Sequence, residues 1–376
     1  MKITIVLGAF LPVPPIMGGA VEKAWFELGK EFVRRGHDVV QISRAVAELP
    51  ETQTIDGVNH VRVRGFDTPR SIAWLKLLDL VYSARARRVV PAADVLVTNT
   101  FWLPILARRN AGRVYVHVAR RPKGQMRLYK GAARLQAPSQ TVADDIKAEV
   151  PAMESRVRVI PYPRPGAAGS AEPPPLADRD RTVLFVGRVD PEKGVHLLVR
   201  AFLALCRQKF AGWKLIIVGP HEPRYGGGGA QYLDELRTLA DSDPRVQFPG
   251  AIFDSAELAR EYDGARLFVY PSLAEKGETF GLAALEAMGR RCAVLTSGLG
   301  CFSDFVTDGT SGFVFDHRAA DPVAALQQRL DDVMSDEGEL ARVAETGYRK
   351  SNEYAIELVA QQFLDDFQHV LEARNG

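Results

Sequence analysis

A chain of 376 residues, 46% hydrophobic and 25% charged, has the composition of a folded globular protein and exceeds what one core usually organises, which predicts two domains and excludes wholesale disorder. Its three cysteines, Cys206, Cys292 and Cys301, form no Cys-x-x-Cys pair, which argues against a disulfide framework or structural zinc and for a reducing cytosol. The net charge of +2 hides an asymmetry: residues 1 to 164 carry 26 Lys+Arg against 14 Asp+Glu (+12) and the remainder 22 against 32 (−10), so the halves meet different partners, attract each other, or do both.

The opening Met1-Lys-Ile-Thr-Ile-Val-Leu7 is apolar and β-branched, and Pro12, Pro14 and Pro15 interrupt it too early for a secretory leader, so it reads as a buried first strand. Gly18-Gly19 follows, either a place where backbone approaches a ligand or a plain flexible connection. Val21, Ala24, Trp25, Leu28 and Phe32 then recur at helical spacing from about Ala20 until Gly36 stops the helix. Strands are predicted at 39–42, 60–63, 95–98 and 114–118, with a short helix over 143–149 behind Ser139. No apolar run reaches the roughly 18 residues of a membrane span. Two segments are basic: Arg120, Arg121, Lys123, Arg127, Lys130 and Arg134 run without an acid, and Trp74 to Tyr82 with Arg85, Arg87 and Arg88 read as a helix, either packed normally or lying on a membrane surface.

The stretch 161–175, rich in Pro, Gly and Ala, reads as a linker, after which strand and helix signals start again. Strands are expected at 182–186, 215–218, 246–248, 266–272, 293–296 and 312–315, helices at 195–206, 232–240 and 281–288, and a terminal helix over 352–374. Gly226 to Gly229 reads as a surface loop because no helix is expected to follow it at once. Alternation of this kind marks parallel sheets wrapped by helices, here two Rossmann-like α/β domains: 1–164, joined by the terminal helix 355–376, and 165–354.

Chemistry concentrates at two loops that leave the carboxyl-terminal edge of one predicted sheet, where open α/β sheets bind ligands. Gly187-Arg188-Val-Asp-Pro-Glu-Lys193-Gly194 offers a planar cationic fork and a point charge for a diphosphate, or else is a solvated polar loop. Glu278-Thr-Phe280-Gly281-Leu282-Ala-Ala-Leu-Glu286 places one carboxylate in a loop and another inside the next helix, with the N–H groups of Phe280, Gly281 and Leu282 at that helix's positive end. Asp241-Ser-Asp243 has the spacing of a metal-binding pair but precedes Pro244 in a polar turn, so no metal is assigned to it.

Taken together, Gly187-Arg-x4-Lys-Gly194 and Glu278-x7-Glu286 make the chain resemble the retaining glycosyltransferases of family 4, over nearly its whole length. The resemblance implies the GT-B fold, two Rossmann-like domains facing each other across a cleft. It implies a sugar transferred with retention from a nucleotide donor, expected to be UDP-linked, to an acceptor hydroxyl, in bacterial surface polysaccharide or glycolipid synthesis, without a metal or further cofactor. It implies that Arg188, Lys193 and Gly187 hold the diphosphate, that Glu278 with Phe280, Gly281 and Leu282 holds sugar and phosphates, and that Glu286 holds the ribose hydroxyls. It gives Gly18 and Gly19 the phosphate and acceptor side and His117 a place beside the sugar. The acceptor is expected to be a saccharide or lipid-linked saccharide, on a cytoplasmic protein that contacts anionic membrane peripherally and binds no nucleic acid. Pro161-Tyr-Pro, Gly289-Arg-Arg-Cys292 and Phe302-Ser-Asp304 depart from the family pattern and leave the donor sugar open. Two alternatives stand beside this reading, a non-catalytic nucleotide-sugar binder and an NAD-dependent oxidoreductase; for the latter the first strand lacks Gly-x-Gly-x-x-Gly.

Overall fold

A computed structural model describes residues 1–69, 71–166, 172–207 and 209–373. Its contacts divide the chain into two compact units, Met1–Pro163 with Tyr354–Gly376, and Arg164–Glu353. Residues 167–171 of the expected linker and 374–376 of the expected terminal helix lie outside the described residues.

The first unit contains strands β1 (Lys2–Val6), β2 (Asp38–Ala45), β3 (Thr52–Ile55), β4 (Val58–Arg64), β5 (Val95–Thr98), β6 (Arg113–His117), β7 (Arg134–Ala137) and β8 (Val157–Val159). They form one sheet in the order β3-β4-β2-β1-β5-β6-β7-β8, parallel except for the β3–β4 hairpin. That hairpin went unread in the sequence although Asp56 and Gly57, both at positive φ, form the two-residue turn that such a hairpin demands. Helix Ala20–Arg34 lays Trp25, Leu28 and Phe32 on the sheet, and the final helix, Ile356–Glu372, seals the same core: the Trp25 and Phe363 ring centroids are 5.0 Å apart and those of Phe32 and Phe367 5.9 Å apart. Within this core Asp366 accepts bonds from the Tyr115 hydroxyl (2.8 Å) and from two nitrogens of Arg134 (2.6 and 3.0 Å). Arg134 therefore leaves the predicted basic surface run: it is a buried strand residue whose partner lies 232 positions away.

The second unit contains β9 (Asp180–Val186), β10 (Lys214–Val218), β11 (Val246–Gly250), β12 (Ala265–Tyr270), β13 (Ala293–Ser297) and β14 (Phe313–Phe315), all parallel, in the order β11-β10-β9-β12-β13-β14. The direction of strand progression reverses between β9 and β12, so the loops that follow these two strands flank the crevice where such sheets bind ligands. Three helices were not foreseen: Ser255–Gly264, Pro322–Ser335 and Glu337–Ser351, capped by the side chains of Asp254, Asp321 and Asp336. A further correction concerns Gly226 to Gly229. The helix Gly229–Ala240 starts at the last of these glycines, so a helix does follow at once. The run still offers no phosphate cradle, because its four N–H groups donate to the carbonyls of Pro223, Glu222, Val189 and His221.

Candidate functional site

In the second unit the loop after β9 is built from residues with narrow conformational roles. Asp190 accepts the Glu192 N–H at 2.9 Å, Pro191 opens a single 3-10 turn ending at Lys193, and Gly194 closes it at φ 67. A Cβ on Gly194 would stand 2.1 Å from the Pro271 carbonyl oxygen, so only glycine lets this loop touch the loop after β12. The two are stitched where the Leu273 N–H donates to the Glu192 carbonyl at 2.7 Å. Through that contact Lys193 meets Glu278: Nζ lies 2.5 Å from Oε2, with the side chains 8% and 11% exposed. Ser272, fully buried, donates its hydroxyl to the same Glu278 oxygen at 3.2 Å.

Lys193 also lies 5.2 Å from the centre of the Tyr270 ring. Burial works against its charge, but Tyr270 and Glu278 outweigh burial and hold the ammonium above the ordinary lysine range. The Tyr270 phenol is pushed up to about 12, mainly by burial, with Glu278 adding to the effect and Lys193 and Arg188 opposing it. One hydroxyl thus senses three of the predicted site residues. Arg188, half-buried, donates to the Gly226 carbonyl. Gly187 packs against the Phe185 and Tyr270 rings at the strand end.

Across the crevice, β12 leads through Glu278 into helix Leu282–Gly289, whose N-cap Gly281 has φ 87; a Cβ there would be 2.2 Å from the Phe302 ring. No side chain caps this helix, and its positive end lies at Gly281. Phe280 turns its ring inward against Phe305, 5.3 Å between centroids, and thereby fixes the backbone that carries the N–H groups. Glu286 lies one turn into the helix, 9% exposed, and accepts the Tyr262 hydroxyl at 3.0 Å. The structure thus joins Lys193 directly to Glu278, on the loop that leads into the helix opening at Gly281, and gives Glu286, within that helix, a partner in Tyr262. The three supporting residues Tyr262, Tyr270 and Ser272 were not found in the sequence. Their roles arise from packing across strands, and no local spacing signals them.

In the first unit the strand order reverses at β1 and β5. Gly18 and Gly19, at φ 76 and 101, lead into helix Ala20–Arg34, and the Glu22 carboxyl fills the space where a Gly19 Cβ would stand. Burial pushes Glu22 up to about 7, opposed by its backbone hydrogen bond and by Arg120. His117, at the end of β6, is 2% exposed; Nδ1 meets the Gln136 amide oxygen, Nε2 lies 2.8 Å from the Tyr162 hydroxyl, and burial pushes the imidazole down to about 4. It is a neutral ring with both nitrogens engaged. Of the basic run, Arg121 pairs with Asp145 while Arg120, Lys123, Arg127 and Lys130 are exposed. Helix Ile72–Val89 buries Tyr82 but leaves Trp74, Leu77 and Val81 exposed at 60%, 48% and 37%, a stripe along one helical face. Elsewhere, Asp243 pairs with Arg245 and Asp241 with Arg207, so both members of the Asp-x-Asp spacing hold arginines. Among the described residues no helix is long and apolar enough to cross a membrane.

Comparison with known proteins gives the arrangement a context. Residues 170–350 match the family described as glycosyl transferases group 1, and residues 17–163 match glycosyltransferase family 4. The chain is 24% identical over 399 aligned residues to the lipopolysaccharide 1,2-N-acetylglucosaminetransferase of Salmonella typhimurium, covering 98% of each. It is 28% identical over 241 residues to a D-inositol 3-phosphate glycosyltransferase of Paenarthrobacter aurescens; that match takes in 60% of this chain and 56% of the relative, so the chain spans little more than half the relative's length. Among solved structures, sucrose-phosphate synthase from Thermosynechococcus elongatus superposes with a TM-score of 0.76 at 20% identity over 99% of this chain and 100% of the other. Anabaena HepE in complex with UDP and glucose gives 0.72 at 18% identity, over 98% and 100%. At such identities the likeness establishes the fold, GT-B with two parallel-sheet domains.

Proposed function

Because this chain belongs to the family 4 glycosyltransferases of the group 1 type, we propose that it moves a sugar from a UDP-linked donor to an acceptor hydroxyl with retention at the anomeric carbon. The second unit takes the donor. Lys193 and Arg188 neutralise the diphosphate together with the N–H groups of Phe280, Gly281 and Leu282, Glu278 orients the sugar, and Glu286 accepts the ribose hydroxyls. The bond from the anomeric carbon to the phosphate oxygen breaks as the acceptor oxygen approaches on the same face; the acceptor's proton passes to the departing phosphate, and no metal or further cofactor takes part. In the first unit Gly18 and Gly19 are assigned to the acceptor and phosphate side, and His117, a neutral imidazole held by Gln136 and Tyr162, to the sugar side.

The observation that carries this reading is the Lys193–Glu278 pair at the reversal of strand order. A buried cation already matched to a carboxylate is poised to exchange that partner for a diphosphate, which brings more charge and more acceptor atoms. Slow UDP release from UDP-sugars, independent of nicotinamide and abolished in Lys193→Ala, is the expected result. Nucleotide-sugar binding with no turnover under any acceptor would favour the non-catalytic binder instead.

The acceptor proposed is a saccharide or lipid-linked saccharide of bacterial surface polymers, reached from the cytoplasmic side with the first unit against anionic lipid. Residues 68–143 carry 14 Lys+Arg and two Asp+Glu. Of these two acids Asp79 is buried and Asp94 accepts the Lys2 N–H, which leaves the exposed Trp74, Leu77 and Val81 in a field of positive charge.

A further inference from the structure

Glu286 sits on an eight-residue helix, and the torsion about its terminal carboxyl bond is intrinsically soft. A carboxylate that must accept two hydroxyls of a vicinal diol needs its plane set beforehand, since otherwise binding has to freeze it. In this structure a neighbouring side chain bonds to it. Tyr262, on helix Ser255–Gly264, donates its hydroxyl to Oε2 of Glu286 at 3.0 Å and lies 3.4 Å from the Ala283 carbonyl one turn earlier on the same helix. Tyr262 itself has little freedom. It is 2% exposed, its ring centroid lies 5.8 Å from that of Phe268, and its carbonyl accepts from Arg179 Nη1 and Cys292 Sγ, each at 3.1 Å. The two helices are tied again one residue further on, where Asp263 accepts Arg290 Nε at 2.7 Å.

We propose that Tyr262 is a positioning residue that fixes the Glu286 carboxylate for recognition of the vicinal hydroxyls of the donor's ribose. The inference rests on the donor-site reading above and extends it to a residue that acts through Glu286. Burial, reinforced by the adjacent Glu286, raises the Tyr262 phenol well above its usual range, so it remains a donor throughout the working pH and its effect does not titrate.

The test is calorimetric titration of UDP and of 2′,3′-dideoxy-UDP into the whole protein. Tyr262→Phe keeps the ring and its packing while removing one charge-assisted hydrogen bond; it should weaken UDP by about tenfold and leave dideoxy-UDP unchanged. In a Glu286→Ala background the same change should no longer affect UDP, and this cycle remains readable even where either single variant loses some stability. Equal weakening of both nucleotides by Tyr262→Phe, or no weakening of either, overturns the inference. Wild-type affinity for UDP in Glu286→Ala overturns the ribose role of Glu286 and the inference with it, whereas a Glu286→Ala defect without a Tyr262→Phe defect leaves the donor reading standing and removes Tyr262 alone.

Discussion

The two units share one strand progression and use its reversal point in opposite electrostatic ways. In the second unit the crevice is lined by charges that are already matched, Lys193 with Glu278 and Arg188 with a carbonyl, on loops locked together by Gly194. In the first, the equivalent edge holds groups that burial drives toward neutrality, Glu22 up to about 7 and His117 down to about 4, while Arg120, Lys123, Arg127 and Lys130 are exposed. The contrast teaches that topology sets where a ligand binds and local charge sets which one. A diphosphate needs fixed cations, whereas a neutral saccharide is better met by uncharged hydrogen-bonding groups that cost little to desolvate.

The comparison can be broken first in the second unit. Lys193→Ala or Arg188→Ala should lower turnover by about 10³-fold with circular dichroism unchanged, because each removes stabilisation of the departing diphosphate; a near-normal rate in either removes that residue from the mechanism. The first unit's rigidity is tested next. Asp366→Ala strands the buried Arg134 and the Tyr115 hydroxyl, and urea unfolding should report a loss of about 3–5 kcal/mol.

Glu22 sharpens the neutral side of the contrast. Its folded pKa lies above the unfolded one, so the folded state binds the extra proton and stability is lost as pH rises from about 4.5 to about 7. Glu22→Gln should recover roughly 1–3 kcal/mol at pH 8 and almost nothing at pH 4, read from urea midpoints; equal effects at both pH values would mean that the carboxyl is not desolvated. The smallest effect expected is at the exposed stripe. Trp74→Ser should weaken flotation with phosphatidylglycerol vesicles by a few-fold, while phosphatidylcholine vesicles capture neither protein. Equal capture by both lipids would show that charge does not select the surface.

The legible parts of this molecule were those whose cause is local. Gly194 and Gly281 announce themselves because each stands between a charged loop and an apolar run, and the strands β5 and β9 because their apolar residues are continuous. Arg134 was misplaced because its partner comes from the final helix, and nothing within its own segment distinguishes a buried arginine from an exposed one. Tyr262, Tyr270 and Ser272 stayed hidden for the same reason: each acts on a residue of another loop or helix. The three acid-capped helices and the Asp56-Gly57 hairpin differ, since their signals were present and went unused.

The central claim is that one diphosphate is taken by Lys193, Arg188 and the amides that open the helix at Gly281. A crystal structure with UDP bound tests it most directly. The account predicts both phosphates seated on these groups, with Glu278 drawn away from Lys193 toward the sugar position; UDP bound elsewhere in the second unit, with Lys193 still on Glu278, would contradict it.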